Sequence, residues 1–203
     1  MHNELSVRSN PLADLVSSRL ARVAAWLRAP GIVLGGTILM AVCARLALPL
    51  YFTPVPLTLA PFAVLLLGLL LTPRLAFATL AAYLAEGALG LPVFAPSPMP
   101  SSGLAHLLGP TGGYLIAYPL AAWLISSLWR RSGGGFTAAA FSTALGDLTI
   151  LSSGAFWLGI LTHVSPQAAV KLAVLPFFPG DALKVVAAAA LATGFQRLCR
   201  RSA

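Results

Sequence analysis

The sequence predicts an all-α integral membrane protein of six transmembrane helices, both termini cytoplasmic, with an amphipathic N-terminal helix on the membrane surface. Three observations carry this expectation. Of 203 residues, 58% are hydrophobic and only 9% charged, where soluble domains carry about 25% charged residues. The apolar runs are apolar all round, as lipid requires, instead of along one stripe. The basic residues lie between those runs, where they read as topology signals; a nucleic-acid interface would need them gathered on one face beside hydrogen-bonding or aromatic partners. The net charge of +8 is therefore expected to meet a lipid bilayer and no nucleic acid.

Taken in order, residues 1–30 form a cytoplasmic amphipathic segment and residues 31–203 the membrane substrate-binding domain. Within "PLADLVSSRLARVAAWLR", Leu12, Leu15, Val16, Leu20, Val23 and Leu27 share one helical face with Arg19, Arg22 and Trp26 nearby. That pattern suits a helix lying on anionic lipid, and a solvated tail is the alternative. About thirty mostly polar or amphipathic residues ahead of the first apolar run argue against a signal peptide. Windows of spanning length then give Ile32–Leu50, Leu57–Thr72, Arg74–Leu89, Gly112–Trp129, Phe136–Leu161 and Pro179–Leu198. The second and third are short, which implies tilt or local thinning of the bilayer.

Orientation follows from the basic residues. With the N-terminus inside, the cytoplasmic face collects Arg8, Arg19, Arg22, Arg28, Arg74, Arg130, Arg131, Arg197, Arg200 and Arg201, and the outside only Lys171. Arg45 and Lys184 fall within spans. An odd number of spans would spoil this bias, so the expected location is the cell membrane, crossed several times.

The ionisable residues inside spans are the candidate functional residues, because each is costly in hydrocarbon, by roughly 2.5–3.5 kcal/mol at a helix centre. Asp181 and Lys184 stand one turn apart at the outer start of the sixth span, spaced i, i+3 on one face. Pro179 suits a first helical position, and the helix dipole favours Asp181 there. Arg45, Glu86 and Trp157 fall near the same depth. Two readings stand: an outward-opening polar pocket, or an interfacial ion pair at Asp181 and Lys184 with Arg45 and Glu86 joining helices. Asp147, midway along the fifth span, reads as a hydrogen-bonding residue of helix packing. The uncharged loops "PLYFTPVPLT" and "GLPVFAPSPMPSSGLAHLLGPTGGY" suit lids over such a pocket, with Tyr51, Phe52, Phe94 and Tyr114 as its apolar lining, or a plain extracellular cap.

Enzyme signatures are missing. There is no HExxH, GxSxG or GxxxxGK[ST] run, and His2, His106 and His163 lie too far apart in sequence for a metal cluster. Cys43 and Cys199 have no disulfide or metal-ligand spacing. No cofactor is expected. A solute-binding membrane subunit energised by another protein fits these absences, and an intramembrane enzyme on a lipid-linked substrate, using Glu86, Asp147 or Asp181, is the competing class.

Four blocks in order, "PVPLTLAPFAVLLLGLLLTPR", "YLAEGALGLPVFA", "GPTGGYL" and "PFFPGDALK", make the chain resemble the BioY family over roughly Ala41 to Leu191. Those proteins are the biotin-specific S components of energy-coupling-factor (ECF) transporters. The resemblance implies a six-helix subunit that captures biotin at the outer face and works with a transmembrane coupling subunit and two ATPases. It assigns Asp181 and Lys184 of the "PGDxxK" block to biotin. Thr58, Phe94, Tyr114 and Trp157 are further expected contacts, and Glu86 and Arg45 are candidates from their depth in the spans. A solitary or broader-specificity vitamin carrier is the alternative within transport. The chain departs from the family in reading "TLAP" where "TLQT" is usual, so Ala60 replaces a polar glutamine and Pro61 stiffens the start of the second span. The loop after "PVFA" lacks the usual glycine-rich run. The first span has no AxxxA docking signature, and offers Gly31/Gly35 and Thr37/Ala41 as small-xxx-small pairs instead.

Overall fold

Apolar runs punctuated by proline and glycine fold, in a computed structural model, into helices packed side by side; residues 11–96 and 103–201 are described. The helices are α1 (Pro11–Arg45), α2 (Ala60–Leu70), α3 (Pro73–Ala88), α4 (Leu104–Leu107), α5 (Gly112–Arg131), α6 (Phe136–Thr162), α7 (Pro166–Ala173) and α8 (Phe178–Arg201). A two-stranded hairpin, β1 (Ala47–Leu48) with β2 (Leu57–Thr58), pairs antiparallel between α1 and α2.

Local chemistry sets most boundaries. Pro61 and Pro73 occupy first-turn positions of α2 and α3, where a missing N–H costs nothing. The Thr72 hydroxyl accepts from Leu75 N at 3.4 Å and starts α3. Ser165 does the same for α7, accepting from Ala168 N at 3.4 Å. At the far end of α2, Leu71 O accepts from the Ser126 hydroxyl at 2.6 Å, which ties α2 to α5. Three consecutive glycines, 133–135, all at positive φ, make the tight link from α5 to α6.

Two differences from the sequence expectation are physical. The first span was expected to run to Leu50, but α1 stops at Arg45 because Ala47 and Leu48 pair with Thr58 and Leu57 instead. Pro49, Pro54 and Pro56 then hold the chain in non-helical form. At its other end, α1 is one helix of 35 residues that continues through Pro30, across the expected boundary at residues 30/31. The amphipathic face from Leu12 to Leu27 lies outside the residues whose side chains are described.

Among the described residues, three stretches, Arg28–Arg45, Phe136–Thr162 and Phe178–Cys199, are long and apolar enough to cross a membrane by length and composition. At about 1.5 Å per residue, α2 measures about 16 Å and α3 about 24 Å, shorter than the ~30 Å hydrocarbon core. The surface is inverted relative to a water-soluble fold. Ile38, Val42, Leu120, Leu148, Phe156, Leu183 and Leu191 each expose at least half of their surface. Between the helices lie small residues, among them Ala63, Ala76, Ala121, Ala139 and Ala188, all fully buried. Small residues let helices approach closely where lipid removes the hydrophobic drive. α5 lies at the centre, against α2, α3 and α6, and α8 closes the bundle against α2 and α6.

Candidate functional site

The costliest residues of the chain meet one another. Asp181 and Lys184, on the first two turns of α8, form an ion pair with Lys184 Nζ to Asp181 Oδ1 at 2.7 Å. Both are buried, at 2% and 8% exposure. The i, i+3 spacing read from sequence sets the pair on one face; tertiary packing buries it. A buried pair of this kind gains little net stability, because two desolvation penalties oppose the attraction. Such a pair is better explained by what it can bind than by what it holds together.

Asp181 and Lys184 open onto a narrow cavity of about 50 Å³ at the end of the bundle that carries the hairpin, α4 and α7. Four of the residues expected from sequence line it: Asp181, Lys184, Thr58 and Tyr114. Thr58 also accepts from Ala60 N at 3.3 Å, so it starts α2 as well as shaping the wall. The Tyr114 hydroxyl donates to Ala173 O at 2.6 Å, which fixes its ring. Phe177 meets that ring edge-on at 6.2 Å.

The other expected residues stand behind the wall. Phe94 is buried, stacked on His106 at 5.1 Å and edge-on to Tyr83 at 5.4 Å. It props two lining residues and does not line the cavity itself. Trp157 Nε1 donates to Gly109 O at 2.8 Å and so anchors the turn between α4 and α5. Arg45 Nε donates to Pro92 O at 3.1 Å, clamping the end of α1 to the connection after α3. Glu86 is half-buried on α3, outside the cavity lining. The expectation that Tyr51 and Phe52 line the pocket is corrected: Tyr51 is fully exposed and Phe52 mostly so, at the tip of the hairpin loop. The hairpin loop contributes Val55 and Pro56 to the wall instead, and Thr53 fastens it to α7 by donating to Leu172 O at 3.0 Å.

Sequence reasoning missed Tyr83, His106 and Tyr118 as lining residues. Tyr118 carried a usable signal, since it follows Tyr114 by one helical turn on the same face. His106 carried none; it reaches the site because the four-residue α4 folds back over the bundle. Asp147 is buried at 7% exposure, and its Oδ1 has no hydrogen-bond partner among the described residues, so the expected packing hydrogen bond is not made by that oxygen. Among the described residues no group of His, Cys, Asp and Glu could hold a metal ion.

The model of the BioY family matches residues 17–201. A probable biotin transporter BioY of Pyrococcus horikoshii is 42% identical over 144 residues, covering 70% of this chain and 82% of that protein. The biotin transporter BioY of Thermotoga maritima is 35% identical over 162 residues, covering 80% of this chain and 92% of the other. Among solved structures, the S-component for biotin from an ECF-type ABC transporter superposes with a TM-score of 0.78 at 24% identity, covering 86% of this chain and 93% of that one. The two chains share a fold.

Proposed function

Because the chain belongs to the BioY family, we propose that it is a biotin-binding membrane subunit that captures biotin at the outer face for delivery inward. Its relatives are transporters, so the reading as an intramembrane enzyme is set aside. The observation that carries the proposal is the buried Asp181–Lys184 pair at the cavity wall. Biotin presents ureido N–H donors at one end and a carboxylate at the other. Asp181 is suited to accept from the former and Lys184 to pair with the latter, and a ligand charge helps offset the desolvation of the ammonium. The rings of Tyr83, Tyr114, Tyr118 and Phe177 supply an apolar lining for the fused bicycle.

In this reading six spans cross the cell membrane, with residues 1–30 and both termini in the cytoplasm, and residues 31–203 as the substrate domain. The hairpin, α4 and α7 then cap the outer end. The proposed partners are a transmembrane coupling subunit and two ATPases of the ECF type. Gly31 and Gly35 support lateral docking through α1: both are exposed, and a Cβ at either would meet nothing within 4 Å. Thr37 faces inward at 2% exposure and donates to Leu34 O, so the Thr37/Ala41 pair is unsuited to docking. ATP-driven biotin accumulation is expected in vesicles that hold all four proteins; accumulation driven by ATP in vesicles with this chain alone would overturn the partnership.

Ala60 favours a broader ligand range as a second reading. It is buried at 3% exposure and lines the cavity, where the family's glutamine would place a polar group. One binding assay addresses both readings. Purified protein should retain labelled biotin, and Asp181→Asn or Lys184→Ala should abolish retention while insertion and purification stay normal. Unchanged affinity in both variants removes the site. Desthiobiotin that competes as well as biotin supports the broader range.

A further inference from the structure

The cavity described above leaves one buried charge unexplained. α6 runs from the far end of the bundle toward the mouth, and its Ile150 and Leu151 line the cavity. Asp147 lies one turn, about 5 Å, further from the mouth. It is therefore behind the cavity lining, one turn deeper than Ile150 and Leu151, and within electrostatic reach of both Asp181 and Lys184. Its Oδ1 is buried and accepts no hydrogen bond among the described residues. The titratable groups that face it can be named element by element. α8 brings Asp181 and Lys184, and α5 brings Tyr118, itself in reach of Tyr114 and of Tyr83 on α3. α2 brings no titratable side chain, and Lys171 of α7 is exposed.

Charge counting then constrains the site. Without a guest, the one ammonium is paired with Asp181, and Asp147 stands in reach of both without a contact of its own from Oδ1. An anionic guest that pairs with Lys184 makes three carboxylates around one ammonium, within a low-dielectric bundle. An uncompensated buried charge is strongly unfavourable, and such groups neutralise instead. Asp181 is held by its 2.7 Å contact with Lys184 and by the helix terminus. Asp147 has neither.

We propose that Asp147 is a proton-binding site linked to the charge of the ligand: when a carboxylate guest takes Lys184, Asp147 takes a proton from water. This rests on the reading of the cavity as a biotin site. Capture of the biotin anion would then carry one proton into the site, leaving its net charge unchanged. Binding of a neutral analogue such as biotinamide would carry none.

The test is calorimetric titration of the full-length protein in detergent or nanodiscs, in buffers of different ionisation enthalpy, with biotin and with biotinamide. Biotin is expected to draw in up to one proton and to lose affinity as pH rises, by at most about tenfold per pH unit, the limit for a single linked proton. Biotinamide should show neither effect. Asp147→Asn should bind biotin with an affinity that no longer follows pH. Equal proton uptake for biotin and biotinamide in the wild-type protein overturns the proposal without needing any variant, as does biotin binding with no proton uptake at any pH. Equal uptake in Asp147→Asn and wild type overturns it too. Failure of the wild-type protein to bind biotin removes the biotin reading instead. The proton site is then decided by infrared titration of the ligand-free protein: a carboxylic-acid carbonyl band that persists near neutral pH and is lost in Asp147→Asn upholds it, and a band confined to the acid range of ordinary carboxylates overturns it.

Discussion

The two ends of the bundle are built with the same device and differ in what it admits. Both use a glycine on α6 to bring α5 close. At the mouth end, Gly154 lies against the ring of Tyr114; two turns and more away, Gly146 lies against the end of the Ile125 side chain. Around Gly154 the interior is aromatic and polar, with Tyr83, Tyr118, His106 and the Asp181–Lys184 pair. Around Gly146 the interior is mostly apolar, with Leu65, Leu69, Ile125, Ala188, Ala189 and Ala192, and the buried hydroxyls of Ser126, Ser142 and Thr143 donate to backbone carbonyls. The mouth end trades stability for a wall of hydrogen-bonded rings and a buried pair of charges. The other end is a mostly apolar core of small and aliphatic residues. A glycine on α6 thus serves binding at one end and packing at the other.

The largest expected effect separates the ion pair from the rest of the mouth end. Lys184→Met leaves the Asp181 carboxylate buried and alone, which should cost about 3–5 kcal/mol. Asp181→Asn with Lys184→Met should recover most of that loss, while biotin binding stays absent. Thermal unfolding of ligand-free protein in detergent checks the cycle. A double variant as unstable as Lys184→Met would mean that the pair holds the fold together, and the contrast between the two ends would break.

A smaller effect compares the two glycines directly. Gly154→Ala forces a methyl into the Tyr114 ring, whose hydroxyl is fixed on Ala173 O at 2.6 Å. Overpacking of a rigid neighbour should cost about 1–3 kcal/mol and weaken ligand binding with it. Gly146→Ala crowds Cγ1 and Cδ1 of the buried Ile125, an aliphatic chain with no hydrogen bond to hold it, and the gain in helix propensity, about 1 kcal/mol, offsets part of the cost. Its unfolding temperature should therefore fall less than that of Gly154→Ala, with binding unchanged. Equal losses in the two variants would show that the ends do not differ in the way described.

Much of the molecule was legible along the chain. Apolar runs gave helices where they were expected, and prolines and glycines marked most ends, because capping and backbone restriction act over three or four residues. The end of α1 was misplaced for the opposite reason: Ala47 and Leu48 leave the helix to pair with Thr58 and Leu57, beyond the reach of a helical turn. At the site, Asp181 and Lys184 were legible since a turn of helix joins them. Phe94 and Trp157 were aromatic residues at the right end of the bundle, but nothing in their spacing tells a lining ring from a propping one. That distinction depends on Gly109, Tyr83 and His106, which reach them from other elements.

The sequence alone determined that this chain is helical and lives in lipid, and that an acid and a base share one helical turn, because composition and short-range periodicity encode both. Only the tertiary structure decided that the pair is buried, that Tyr83, Tyr118 and His106 complete its wall, and that Asp147 is buried in its reach with an oxygen that has no hydrogen-bond partner among the described residues. Those outcomes depend on how helices distant in sequence lie against one another, and side-chain contacts between them follow no local spacing.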